Sequence, residues 1–207
     1  MKRDILSDEQ KHAFDTLSRM RQLEQFYLAG GTALALTVGH RSSEDFDWFT
    51  QNNLDDPFLF ASLLRDEGVA FMTEHVEKGT LYGTLDGVRV SFIRYQYPLL
   101  QPVTRVEGAY GTIASLDDIA CMKLSAVTQR GARKDFVDIY ALIESHKPLM
   151  TLLQLFKEKY NTNDIASVIY ALTYFDDAET EAMPDMRWNV SWEEIKRQIV
   201  MWVKEIS

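Results

Sequence analysis

Two aspartates one residue apart, Asp45 and Asp47, are the side chains whose type and spacing point most directly to chemistry in this chain of 207 residues. Side chains alternate along a strand, so Asp45 and Asp47 would project to one side while Phe46 and Trp48 project to the other and pack. Two carboxylates held side by side repel each other unless a cation sits between them. A hard cation, Mg2+ or Mn2+, binds through one or two such carboxylates plus the oxygens of a phosphorylated substrate. Upstream stands a double glycine, Gly30-Gly31, ahead of a helical pattern. It lets backbone approach a phosphate closely, and the helix start supplies free N–H groups and a positive dipole end. Thr32 adds a hydroxyl, and His40 and Arg41 precede the aspartates, placed to touch the same triphosphate. Each feature is common by itself. Together they are more specific, because glycines and acids must meet in space to be useful.

The elements that would position them alternate in type. Residues 8–24 are charged and apolar at helical spacing, with Phe14, Leu17 and Leu23 among the apolar positions. Residues 26–29 form a short apolar strand candidate that runs into the glycines. Residues 32–38 read as a helix with Thr32 as N-cap and Gly39 as its end. Residues 46–49 form a second strand candidate, and 56–67 a helix closed by Gly68. The run 80–85, Asp86-Gly87 and 88–95 reads as strand, turn and strand, a hairpin. From residue 116 onward the pattern is helical throughout, over 116–129, 134–145, 148–160, 164–174 and 192–206. The expected class is therefore α+β, with an α/β domain over 1–110 and an all-helical domain over 111–207 packed against it, joined through the Pro- and Gly-flanked stretch 98–112.

Composition narrows the partners. Hydrophobic residues make up 46% and charged residues 26%, ordinary for a folded protein, and the formal net charge is −9. Such a chain has no global attraction for nucleic acid or an anionic membrane, so any RNA must meet a local basic patch. The obvious patch is Arg130, Arg133 and Lys134. No run of about 18 apolar residues suggests a membrane span. The N-terminus lacks the apolar stretch of a secretory signal. The single cysteine, Cys121, excludes an intramolecular disulfide and sits among apolar neighbours, so a cytoplasmic location is expected. Trp188, Trp192 and Trp202 read as core of the C-terminal helices. Asp138 and Tyr140 read equally as helix packing and capping or as chemistry, and His75 and His146 have no evident partner.

Gly30-Gly31-Thr32, Gly39-His40-Arg41-Ser42 and Asp45-Phe46-Asp47-Trp48-Phe49 together resemble the signature of the AbiEii/AbiGii-type nucleotidyltransferase toxins, within the DNA polymerase β-like nucleotidyltransferase superfamily. A second block is similar too. It comprises Asp118 to Leu124, then Arg130-Gly131-Ala132-Arg133-Lys134-Asp135-Phe136-Val137-Asp138-Ile139-Tyr140. The resemblance covers about residues 24 to 145 and continues more loosely to the C-terminus. It implies a nucleotidyltransferase-type mixed sheet. The implied activity is metal-dependent transfer of a nucleotide from an NTP to an RNA acceptor, such as a tRNA 3′ end, or to a protein, with an antitoxin protein as partner. By position, Asp45 and Asp47 would hold the metal, and Gly30, Gly31 and Thr32 would contact phosphate. Lys123, otherwise a snorkelling surface lysine, would neutralise triphosphate charge. Asp135 would orient a base-like or lysine partner.

One position departs from the superfamily. Where a third carboxylate is expected, on strand 88–93, this chain has Ser91, and neither Asp86 nor Glu74 has the expected flanks. Three readings remain open: Asp45 and Asp47 suffice with help from Asp135, another acid takes the role, or the protein binds nucleotide without transferring it. An interaction protein acting through its helical half is a further alternative, marked by an exposed apolar patch on 148–206.

Overall fold

The double glycine lies where a strand turns directly into a helix. Strand β1 (Tyr27–Ala29) is followed without a loop by α2 (Gly30–Val38), preceded in the chain by α1 (Asp8–Ser18) and a 3-10 turn (Arg21–Gln25). Ser7 and Gln10 form a reciprocal capping box at the start of α1. The structure, a computed structural model, describes residues 1–206; Ser207, the last residue of the expected helical domain, lies outside the described residues. Gly39 ends α2 in the left-handed conformation, with φ 74° and its N–H donated to the Ala35 carbonyl.

Next come β2 (Phe46–Thr50), α3 (Pro57–Asp66), and the strands β3 (Phe71–Glu77), β4 (Thr80–Leu85) and β5 (Val88–Arg94). The expected hairpin is present. Asp86 and Gly87 have φ of 52° and 79°, the positive pair that a tight two-residue turn demands. Two further short strands, β6 (Thr104–Arg105) and β7 (Thr112–Ile113), lie in or at the end of the stretch expected to be a connector. Together the seven strands form one mixed sheet in the order β3-β4-β5-β2-β1-β7-β6. β2 is central, antiparallel to β1 and parallel to β5, so Asp47 lies opposite Ala29 on one side and Ser91 on the other.

Alternation along β2 sorts its residues as the sequence pattern predicts. Phe46 and Trp48 are fully buried against Phe14 of α1. Phe92 of the neighbouring β5 extends that face into an aromatic cluster with Phe26, Phe60 and Phe71. The opposite face carries Asp47, Ser91 and Ile93 and is left for a cleft.

The C-terminal half comprises α4 (Leu116–Gln129), α5 (Arg133–Ser145), α6 (Leu149–Tyr160), α7 (Ala166–Thr173), α8 (Asp176–Glu179) and α9 (Trp192–Ile206). Helix α4 packs on α2, α5, α6 and α7. One continuous cluster of buried apolar residues runs from Ile5 to Val203 through both halves. β7 lies just past residue 110 yet pairs with β1, so the sheet draws strands from both sides of that position. Cys121 is fully buried, and burial pushes its thiol up to about 12. Trp192 packs between Phe136 and Phe175, and Trp202 against Tyr140. His146 does have a partner: its Nε2 lies 2.7 Å from Asp117 Oδ1. No helix among the described residues is long and apolar enough to cross a membrane. Within 148–206 the exposed large apolar side chains are Met150, Tyr170, Tyr174 and Met201.

A buried ion pair ties the joining stretch to this helical half. Lys159 Nζ donates to Asp118 Oδ1 and to the Pro98 carbonyl, both at 2.7 Å, and the same carboxylate accepts from the Leu100 N–H at 2.9 Å. Both side chains are wholly inaccessible. Removing one partner strands a charge in a low dielectric. Lys159→Met should therefore destabilise the protein by about 3–5 kcal/mol in urea unfolding, and adding Asp118→Asn should recover part of that loss.

Candidate active site

The open face of β2, the N-terminus of α2 and the facing sides of α4 and α5 enclose a cleft of about 350 Å³. Gly30, Gly31, Asp45 and Asp47 all line it, so the glycines and the acids do meet. The glycines are also what permits the meeting. Gly30 has φ 69°, and a Cβ there would stand 2.8 Å from Asp47 Oδ2. A Cβ on Gly31 would stand 2.6 Å from Arg41 Nη2 and 3.0 Å from Ser43 Oγ. Side chains at either position would push Asp47 and Arg41 off the start of α2, whose first N–H groups lack helical partners.

Thr32 has a different part from the one expected. The helix starts two residues earlier, with Ala29 as its N-cap, and Thr32 is buried outside the cleft. Its hydroxyl donates to the Asp45 carbonyl, which staples the approach to β2 onto α2. The hydroxyl of Thr32 thus positions Asp45, which leaves the residue's backbone N–H, in the first turn of α2, as what it could offer a phosphate.

Asp47 lies half-buried, and burial, reinforced by the charge of Asp45, raises its carboxyl above the usual range; Lys123, the Ser91 hydroxyl and Lys134 pull the other way. Asp45 Oδ1 is a buried atom 2.7 Å from Arg89 Nε, without the alignment of a hydrogen bond. A carboxylate whose charge is disfavoured by burial and by its neighbour, beside a second carboxylate with an oxygen lacking an aligned donor, fits a divalent cation that would complete its shell with phosphate oxygens and water. No group of three or more acidic, histidine or cysteine side chains able to hold a metal occurs among the described residues. Ser91 stands opposite Asp47, while Glu74 and Asp86 are exposed elsewhere.

Across the cleft the organising group is Asp138, which is fully buried. Its Oδ1 lies 2.7 Å from both Arg41 Nε and His40 Nε2, and its Oδ2 accepts from Arg41 Nη2 at 2.9 Å and forms an ion pair with Lys123 Nζ at 2.6 Å. Burial alone would raise its pKa; the Lys123 and Arg41 charges overcome that and hold it well below the usual carboxylate range. Asp135, one turn earlier on α5, receives Lys123 at 3.1 Å and a two-pronged contact from Arg130 at 2.7 and 2.9 Å. Burial again raises and the cations lower, leaving its pKa depressed.

Lys123 is therefore not a snorkelling surface lysine but a buried cation fixed between two aspartates at the cleft wall. Arg41, Lys123, Arg130 and Lys134 all line the cleft. Four cations against Asp135 and Asp138 leave a surplus of two positive charges facing Asp45 and Asp47.

Two expected contacts lie elsewhere. His40 is wholly buried behind Arg41 and does not reach the cleft; its ring orients Asp138 and meets the edge of Trp188. Arg133 turns away, donating to the Ala178 and Glu179 carbonyls and lying over the Trp192 ring. Of the expected basic patch, only Arg130 and Lys134 face the cleft. The backbone of residues 40–42 is clamped by the segment before α9, through Arg187 N–H to the His40 carbonyl and Ser42 N–H to the Asp185 carbonyl, both at 2.8 Å. The apolar part of the cleft lining comprises Phe49, Ile93, Met122 and Ala126.

The sequence left Asp138 open between packing and chemistry and gave no role to Arg89. Asp138 carried a signal, since it lies three residues after Asp135 and so shares its helix face. Arg89 carried none.

A family model described as "Nucleotidyl transferase AbiEii toxin, Type IV TA system" matches residues 13–202. Over 203 residues, 97% of either chain, the sequence is 38% identical to an uncharacterized protein of Aquifex aeolicus (strain VF5). Among solved structures, the nucleotidyltransferase toxin MenT4 of Mycobacterium tuberculosis H37Rv is similar with a TM-score of 0.61 at 13% identity, over 95% of this chain and 83% of that one. JHP933 of Helicobacter pylori is similar with a TM-score of 0.58 at 18% identity, over 97% and 93% of the two chains. At those identities the structural likeness is one of fold.

Because the Asp47 carboxyl is raised in the folded protein, its ionised form is disfavoured there, and the penalty is present at neutral pH and relieved on acidification. Asp47→Asn should therefore raise the thermal midpoint in chelator at pH 7 while removing stabilisation by added Mn2+. A lower midpoint in chelator would show that Asp47 is held by favourable contacts instead.

Proposed function

The chain belongs to the AbiEii nucleotidyltransferase toxin family, and on that premise we propose that it transfers a nucleotide from an NTP to an RNA acceptor with the help of Mg2+ or Mn2+. The observation that carries this reading is the cleft itself: two carboxylates against a glycine-opened helix start, facing a surplus of preset cations.

The polar wall suits a triphosphate. The free N–H groups at the start of α2 and the cations Arg41 and Lys123 would hold its oxygens, and the apolar part of the lining would take the base. Asp45 and Asp47 would hold the cation, which when bound supplies charge neutralisation at the phosphorus under attack. The rest falls to the protein's own side chains. In-line displacement at phosphorus depends on positioned positive charge rather than on covalent chemistry. Asp138 and Asp135 act by fixing Lys123, Arg41 and Arg130, so that those charges need not reorganise as the leaving group develops charge. An antitoxin as partner, and action in the cytoplasm, belong to the same family reading.

Ser91 favours a second reading, a module that binds nucleotide without transferring it, because it stands beside Asp47 where a third carboxylate would complete the acidic set. The two readings separate in one assay. Purified protein, each labelled NTP, Mg2+ or Mn2+ and total RNA should give labelled RNA, and the Asp45→Ala/Asp47→Ala variant should lower the rate by about 100-fold or more. Nucleotide binding with no transfer to RNA or protein, and transfer gained on Ser91→Asp, would establish the second reading instead.

A further inference from the structure

Two tyrosines, Tyr170 on α7 and Tyr174 capping its C-terminus, form an exposed pair of nearly parallel rings. Tyr170 and Tyr174, one helical turn apart, are 70% and 42% exposed. Their centroids lie 6.2 Å apart with planes only 13° from parallel. They line a second hollow of about 300 Å³ together with Thr128, Gln129, Arg130 and Ser167. Gln129 and Arg130 line the reaction cleft as well, so the two hollows share a wall. Resting on the transfer reading above, we propose that Tyr170 and Tyr174 are a stacking platform for unpaired bases at the end of the RNA acceptor, leading that end over Arg130 into the cleft.

The chemistry of the surface selects bases rather than backbone. Asp177 lines the same hollow and Asp176 adjoins it, and the chain carries a net charge of −9, so a track for phosphates is electrostatically unfavourable here. Stacking of a base on an aromatic face needs no positive charge and tolerates any base. The neutral Thr128, Gln129 and Ser167 offer hydrogen bonds to base edges, which only an unpaired strand presents in full. Arg130 is already engaged by Asp135 through Nε and Nη2, which fixes its guanidinium plane as a third flat surface between the two hollows. A double-stranded acceptor has its bases already stacked and gains nothing from such a platform.

Fluorescence anisotropy with a short unpaired RNA, and with a blunt duplex of the same sequence, tests the assignment on the full-length protein. Both tyrosines are exposed, so Tyr170→Ala and Tyr174→Ala should leave the fold intact. Each should weaken binding of the unpaired RNA by about ten-fold. Tyr170→Phe should retain binding, and the duplex should bind the wild type more weakly than the single strand. Magnesium–NTP binding in the cleft, followed by calorimetry, should be the same in all variants. Alanine variants that bind the unpaired RNA as well as wild type would overturn the platform and leave the tyrosines to a protein surface. Wild type that binds NTP but no unpaired RNA would overturn it as well. Tyrosine-dependent RNA binding without any NTP binding would uphold the platform and remove the transfer reading beneath it.

Discussion

The buried carboxylate of Asp138 is the interaction on which the cleft depends. It receives Arg41 and His40 from the loop after α2 and Lys123 from α4, and so joins that loop and α4 to α5 at one point. A charge buried in this way is tolerable only when fully paired. The pairing therefore fixes the guanidinium and the ammonium in single positions. Asp135 does the same for Arg130 and shares Lys123. What results is a wall of cations whose places are set before any anion arrives. Preset charge of that kind lowers a barrier, because nothing has to reorganise during reaction.

The opposite wall follows from the sheet. β2 lies between β1 and β5, and its alternation buries Phe46 and Trp48 while aiming Asp47 into the cleft. The Thr32 hydroxyl ties Asp45 to α2, and the glycines remove the two Cβ atoms that would hold the acids and Arg41 away from the helix start. Asp47 sits there at a cost to the metal-free fold, seen in its raised carboxyl. Unfavourable local charge retained in a cleft is a mark of function rather than of folding.

Much of this was legible in the sequence because it is local. The helices of the C-terminal half, the Asp86-Gly87 hairpin and the strand-glycine-helix unit each carry their own periodicity or turn chemistry. What was not legible depends on distant partners. β3 is an edge strand whose polar face, with Glu74 and His75 exposed, hides its alternation. β6 and β7 are two residues each, and β7 is a strand only because β1 offers it a free edge. His40 and Arg41 are neighbours in sequence, yet one is sealed behind the other; Arg130 and Arg133 share one basic run, yet only Arg130 faces the cleft. In each pair the deciding contact is a segment far along the chain, Trp188 for His40 and the carbonyls of residues 178 and 179 for Arg133. Asp138 shows the same limit from the other side, since a helix position that reads equally as packing or as chemistry becomes the hub once His40, Arg41 and Lys123 converge on it.

If Asp45 and Asp47 face the Asp138-organised cations across a single nucleotide site, a crystal structure with Mn2+ and a non-hydrolysable NTP, the metal located by its anomalous scattering, should show it. A manganese peak is expected between the Asp45 and Asp47 carboxylates, with triphosphate oxygens against the backbone of Gly30 and Gly31 and the Lys123 ammonium on the same phosphates. A nucleotide bound elsewhere, or one seated in the cleft with no metal at the two aspartates, would contradict it.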